Sequence, residues 1–318
     1  MVKEKKKKNN YRIIIISFLL ALPFWWGINI LHETLEELFY LKAVTSLEMQ
    51  TASIVFTHDP IRDSKVAEFG TTARSALSVF VPFKGKNQVL YEKSPDLKVP
   101  IASITKLMTA DIVLKNYNLQ DTIKVSQEAI DQEEDFGKLQ AGKEFTVRYL
   151  LYPLLMESSN DAAFALADDY SGMWESKFLS LMNSEAVALG MEDTVFYSVS
   201  GLDPKKGEDQ NQINISTSWD IFSLTESLLK RDLVWEILSS EEFSEYGPVL
   251  ENTNKLLGIV PGLVGGKTGY TTKAKECIVL VTKAPKNKGY IVSIILGSDD
   301  RFGEMKNLVN WLKVGYNW

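Results

Sequence analysis

Cysteine and histidine are almost missing from this chain of 318 residues: one cysteine, Cys277, and two histidines, His32 and His58. A lone cysteine cannot close an intramolecular disulfide. Cys277 is followed by Ile278, Val279 and Leu280, a setting that suits an inert core thiol better than a reactive one. Both histidines precede the part of the sequence that reads as globular. A Ser-His-Asp triad, a Cys-His pair or a histidine-rich zinc site therefore has no histidine to build on. No metal and no cofactor is expected, and a hydrolase built from this sequence must find another base. Basic residues are outnumbered, 35 Lys and Arg against 41 Asp and Glu. The net charge is −6, which argues against nucleic acid as the main partner.

The basic charge that is present is uneven. Lys3, Lys5, Lys6, Lys7, Lys8 and Arg12 crowd the start, and Ile13 to Leu31 then carries no charged residue. About 19 residues at ~1.5 Å each span close to 30 Å, the thickness of a bilayer's hydrocarbon core. A cleaved signal peptide is the rival reading, but the run passes into His32-Glu33-Thr34-Leu35-Glu36-Glu37-Leu38 without a small-x-small cleavage site. The expected organisation is a cytoplasmic basic tail (1–12), a transmembrane anchor (13–31), a stalk or linker (32–75) and a globular domain (76–318) outside the cell membrane, since lysines stay inside. The bilayer is thus one expected partner.

Within the globular part, Ala76 to Val81 and Gln88 to Tyr91 read as a hairpin around Lys84-Gly85-Lys86-Asn87. The pattern from 103 to about 235 is mostly helical. Strands return at Gly266 to Thr271, Cys277 to Thr282 and Tyr290 to Leu296. A last amphipathic helix carries Phe302, Met305, Leu308, Val309 and Leu312 at three- and four-residue spacing. The fold class is α+β: an antiparallel sheet flanked by helices, with an inserted helical subdomain and a preceding membrane helix.

Ser103-Ile104-Thr105-Lys106 is an S-x-x-K tetrad. Residues three apart share a helix face, so the lysine amine can approach the serine hydroxyl and take its proton. Pro100-Ile101-Ala102 leads in, which places Ser103 at a helix N-terminus. One such tetrad is expected by chance in a chain of this length, and Ser227-Leu228-Leu229-Lys230 is a second. Order separates them. Ser103 is followed by Ser158-Ser159-Asn160 (S-x-N) and then by Lys267-Thr268-Gly269 (K-T-G), whereas no S-x-N lies between Ser227 and Lys267. The ordered triple is the signature of β-lactamases and penicillin-binding proteins. In this reading Ser103 is the nucleophile and Lys106 the base. Ser158 relays a proton between Lys106 and the leaving nitrogen. Asn160 contacts a substrate carbonyl and Lys106, Lys267 and Thr268 hold a carboxylate, and Gly269 lets the strand approach the substrate. The alternatives are a helix cap at Ser158 and Asn160 and a strand edge at Lys267-Thr268-Gly269.

With these motifs the sequence resembles the low-molecular-mass penicillin-binding proteins, the serine D-Ala-D-Ala carboxypeptidase family. Leu90-Tyr91-Glu92-Lys93, Pro100 to Ala110, Ser158 to Ala163, Ser200-Gly201-Leu202-Asp203, Asn214-Ile215-Ser216-Thr217 and Asn252 to Leu257 carry the likeness over roughly 76–318. The resemblance implies a β-lactamase/penicillin-binding-protein-like fold and hydrolysis of the terminal D-Ala of peptidoglycan stem peptides through an acyl-enzyme. Such an enzyme takes a stem peptide ending in D-Ala-D-Ala as substrate and β-lactam antibiotics as acylating inhibitors. It also implies an oxyanion site at the amides of Ser103 and Tyr270, and a carboxylate-binding role for Arg301, for which a surface arginine capping the last helix is the alternative. Three departures stand out. Ser159 replaces a usual glycine, Ala274-Lys275 replaces a usual Ala-Gly, and the loop at Asp135-Phe136-Gly137-Lys138 is short.

Competing functions share the fold. A class A β-lactamase would add an E-x-x-L-N after the second motif, and none is present. A cross-link endopeptidase or transpeptidase remains open on sequence alone. A non-catalytic wall-binding module would not need the intact set of Ser103, Lys106, Ser158, Asn160 and Lys267.

Overall fold

The computed structural model describes residues 60–133, 138–168 and 175–318, together with Ile16, Leu19, Gly27, Leu31, His32, Thr34 and Leu35. The chain divides into two compact units, residues 1–57 and 58–318. The expected anchor at 13–31 falls largely outside the described residues. Among the described residues no helix is long and apolar enough to cross a membrane.

The second unit is built on a five-stranded sheet: β1 (Ser75–Pro82), β2 (Gln88–Lys93), β3 (Leu263–Thr271), β4 (Lys275–Lys283) and β5 (Gly289–Ser298). Its spatial order is β3-β4-β5-β1-β2, with every pairing antiparallel. The first hairpin thus joins the last three strands across the whole helical insert. The insert holds α1 (Lys106–Asn116), α2 (Val147–Tyr152), α3 (Asn160–Ala167), α4 (Glu175–Ala188), α5 (Ser218–Leu228) and α6 (Asp232–Ser239). The last helix, α7 (Arg301–Gly315), returns to the sheet.

Side chains alternate across a strand, so a sheet covered on both faces needs apolar residues at both parities. β1 meets this demand. Leu77 and Val79 enter the core shared with the helical insert, while Ala76 and Phe80 enter the one beneath α7. α7 contributes Met305, Leu308, Val309 and Leu312 to that second core, the stripe its spacing predicts. Asp300 caps it, its Oδ1 accepting from the amide of Gly303 at 2.9 Å.

Residues 58–75, expected to be stalk, belong to this unit. Ile61–Arg62 pairs antiparallel with Tyr316–Asn317, and Glu304 accepts from the hydroxyl of Thr71 at 2.8 Å and from the amide of Thr72. A two-residue strand has no periodicity to betray it, and its partner lies at the far end of the chain.

Candidate active site

The nucleophile tetrad forms where the chain leaves the sheet. Ala102–Thr105 make a 3-10 turn that runs into α1 at Lys106. Ser103 therefore lies in the tighter turn ahead of the α-helix that the lead-in predicts. Ala102 takes φ +47, a strained value for a residue with a Cβ. Two glycines hold the turn in place. A Cβ on Gly201 (φ +86) would fall 2.0 Å from the carbonyl oxygen of Ala102, and one on Gly269 would fall 3.0 Å from the amide nitrogen of Ser103. Asn214 adds a tie. Its side chain donates to Thr105 Oγ1 at 3.0 Å and its carbonyl accepts from the amide of Ile101 at 3.2 Å.

Lys106 is completely buried. Its ammonium donates to Ser103 Oγ at 2.8 Å, to Asn160 Oδ1 at 2.8 Å and to the Ser200 carbonyl at 2.9 Å. That acceptor shell satisfies a charge that burial would otherwise make costly. It also aims the amine at the serine.

The S-x-N segment follows a π-helical turn, Pro153–Glu157, which ends at Ser158 in the left-handed conformation, φ +64. Ser159 is the residue that caps α3, its Oγ accepting from Ala162 N at 3.1 Å. Ser158 and Asn160 are thereby left free of the capping role, and the serine in place of glycine has a local task. Asn160 Nδ2 donates to the Glu133 carbonyl at 2.8 Å, so its oxygen faces Lys106. Ser158 Oγ accepts from Lys267 at 2.8 Å.

Lys267 is buried on β3 and donates also to the Thr268 carbonyl at 2.9 Å. Burial first, then the charges of Lys106 and Arg301, hold its ammonium well below the usual lysine range. The hydroxyl of Thr268 meets that of Thr253 at 2.7 Å. Arg301 begins α7, yet it does not cap it: Nη1 reaches the Gly269 carbonyl at 2.8 Å, and the guanidinium carbon sits 4.9 Å from the Phe302 ring centre. Ser103, Glu157, Ser158, Thr253, Thr268, Gly269, Tyr270 and Arg301 line one cavity of about 200 Å³. A second recess of about 250 Å³ adjoins Asn160 and Ser200.

Residues separated by up to 198 positions thus converge, from Ser103 to Arg301. The chain belongs to the D-alanyl-D-alanine carboxypeptidase family. The family model matches residues 67–300. A D-alanyl-D-alanine endopeptidase from Pseudomonas aeruginosa is 31% identical over 250 residues, 75% of this chain and 77% of that protein. The D-alanyl-D-alanine carboxypeptidase DacF of Bacillus subtilis is 28% identical over 244 residues, 74% of this chain and 59% of its own length. The crystal structure of the Streptomyces K15 DD-transpeptidase superposes with a TM-score of 0.70 at 27% identity, covering 78% of this chain and all of that one. The penicillin-binding-protein fold and a serine peptidase are thereby shown.

The rival tetrad is elsewhere. Ser227 Oγ donates to the Leu224 carbonyl on α5 and Lys230 is exposed. Cys277 is buried, its thiol pushed up to about 11 by burial, as an inert core thiol should be. Lys275 sits at φ +58, in the turn where the resemblance has glycine. It pairs with Asp299 at 2.8 Å, an exposed contact that offsets little of the strain. The short loop at 135–137 lies outside the described residues. Three site residues escaped the motif reading: the Ser200 carbonyl, Thr253 and Glu157. The first two lie in segments that carry the family likeness, while Glu157 had only its place beside Ser158 to mark it.

Proposed function

We propose that this protein is a D-Ala-D-Ala carboxypeptidase that trims the terminal D-Ala of peptidoglycan stem peptides through an acyl-enzyme on Ser103. The observation that carries the reading is the Lys106 amine, buried and 2.8 Å from Ser103 Oγ. In the neutral form it accepts the serine proton as Oγ attacks the penultimate D-Ala carbonyl. The proposed oxyanion donors are the amides of Ser103 and Tyr270, and the missing side chain of Gly269 lets the strand approach the Ser103 amide. Ser158 passes a proton to the leaving nitrogen, supplied through Lys267 or Lys106, and free D-Ala departs. Asn160 orients Lys106 and keeps a second amide hydrogen for the peptide. Water then cleaves the ester, with the proton path reversed.

Thr268 and Arg301, which line the cavity, and the buried Lys267 behind Ser158 are the candidate carboxylate-binding groups. Charge-assisted hydrogen bonds there favour a free C-terminus over an internal peptide bond. That arrangement puts carboxypeptidase ahead of endopeptidase, although the name of the Pseudomonas relative keeps the second activity in view. β-Lactams, which carry a carboxylate beside a strained amide, acylate the same serine. The N-terminal segment 13–31 is the proposed membrane anchor, with residues 1–12 cytoplasmic and residues 58–318 outside.

Mass spectrometry of the protein after labelled penicillin, and after a pentapeptide ending in D-Ala-D-Ala, tests the assignment. A single adduct on Ser103 and release of one D-Ala are expected. Ser103→Ala abolishes both, and Ser227→Ala abolishes neither. Labelling that survives Ser103→Ala removes the assignment.

A further inference from the structure

One end of the five-stranded sheet concentrates positive charge in a chain whose net charge is −6. Two turns close that end. The β1–β2 turn carries Lys84 and Lys86, the β4–β5 turn carries Lys286 and Lys288, and Lys283 is the last residue of β4. Neither turn contains Asp or Glu. They lie side by side, since the amide of Phe83 donates to the Lys288 carbonyl at 3.0 Å and Pro82 pairs with Gly289. Lys286 bonds a terminal oxygen of Trp318, and Asn87 donates to Glu226, an acidic neighbour on this side. Lys84, Lys86 and Lys283 point their charge into solvent.

An exposed aromatic stands among these lysines. Phe83 is 58% exposed, its ring edge-on to Tyr290 at 5.5 Å between centres. The entry of the chain lies here as well. Gln88 Nε2, at the first residue of β2, donates to the Pro60 carbonyl at 2.9 Å. Pro60 therefore lies beside this cationic end, next to Ile61, which is 63% exposed.

We propose that this end of the sheet seats residues 58–318 on an anionic lipid surface, the lysines against headgroups and Phe83 at the apolar boundary. Lysines alone would fit any polyanion. A phenyl ring held in water among them adds affinity only where an apolar phase lies behind the charge. The inference stands on this surface and does not require the N-terminal segment to span the bilayer. It also sets the height of the catalytic cleft. Lys267 to Gly269 lie five to seven residues along the strand from the level of Gly262, about 17–23 Å at ~3.3 Å per residue. The docked unit would work on peptides held that far above the headgroups.

The test uses residues 58–318, a unit that encloses both of its cores. It is sedimented with vesicles of phosphatidylcholine, with and without phosphatidylglycerol. Binding only to the anionic vesicles, lost in high salt as screening shortens, is expected. Lys84→Glu combined with Lys86→Glu should lower vesicle affinity by at least about tenfold. Phe83→Ser should weaken it several-fold without changing the salt dependence. Penicillin acylation of each variant at the parent rate certifies its fold. In the full-length chain reconstituted into the same vesicles, an environment-sensitive probe on Asn87→Cys should shift to the blue only when the lipid is anionic. Equal binding to neutral vesicles, no binding to anionic ones, or parental binding by the lysine variant overturns the proposal. If Phe83→Ser binds like the parent while soluble polyglycerol phosphate competes fully, the surface is a polyanion site and the membrane reading falls.

Discussion

Gly269 stands at the middle of the cleft, and no side chain can be added to it without moving the nucleophile turn. A Cβ there would lie 3.0 Å from the amide nitrogen of Ser103 and 3.2 Å from both Ala102 Cβ and the Ile101 carbonyl oxygen. Comfortable contact needs roughly 3.5 Å or more, so Gly269→Ala must open the gap by about half an ångström. None of the three atoms is the tip of a flexible side chain, so strand or turn must yield, at about 1–3 kcal/mol for such overpacking. The gap opens between the nucleophile turn and the strand whose next residue, Tyr270, is the other proposed oxyanion donor. Losing one such donor outright costs about 10²–10³ in rate, and spreading two of them by half an ångström should cost about tenfold to a hundredfold. The assay is the second-order rate of acylation by a fluorescent penicillin, with the adduct located on Ser103 and the melting temperature followed in parallel. Gly70→Ala is the control, since nothing lies within 4 Å of a Cβ there. A Gly269→Ala protein that acylates within twofold of the parent would refute the pairing of the two amides.

Two further outcomes follow from charge. The Lys267 pKa is lowered in the folded protein, while the unfolded chain keeps its proton to about pH 10.4. Between those values the unfolded state binds more protons, so this residue adds stability as pH rises through that window. Recognition of a carboxylate runs the other way: kcat/KM for a free-acid peptide should fall as pH passes the lowered value, and Lys267→Arg, charged throughout, should lose that alkaline limb if it retains turnover. Amidating the terminal D-Ala should cut kcat/KM by about tenfold to a hundredfold, from about 1.5–3 kcal/mol of hydrogen bonding to a charged group. Arg301→Ala should erase much of the difference; equal cleavage of acid and amide by the parent would transfer the assignment to an endopeptidase.

The ordered motifs were legible because they are side-chain chemistry in a fixed sequence, and order alone removed Ser227. The sheet was legible where strands are long and buried on both faces, as in β1 and β4. What sequence could not show was backbone. The Ser200 carbonyl that accepts from Lys106 has no residue type attached to it. The left-handed Ser158 and Ala102 sit in conformations that their side chains disfavour, so propensity argues against them, and tertiary contact decides. Ser158 illustrates the limit in the site itself. Its motif marks it as a relay towards Lys106, but its contact with Lys267 depends on how β3 meets the helical insert.

The pairing of Ile61–Arg62 with Tyr316–Asn317 has a mechanical consequence. The Arg62 guanidinium lies 4.7 Å from the Trp311 ring centre, and the amide of Asp63 donates to the Gly315 carbonyl at 2.8 Å. Tension drawn through the chain ahead of Pro60 therefore loads the Gln88–Pro60 bond, this short clasp and the end of α7 first. Its few hydrogen bonds would part before the long ladders of β1, β4 and β5 feel the pull. Up to that point the clasp works as a fuse, and a tether at the N-terminus can be tugged without stretching the strand that carries Lys267, Thr268 and Gly269.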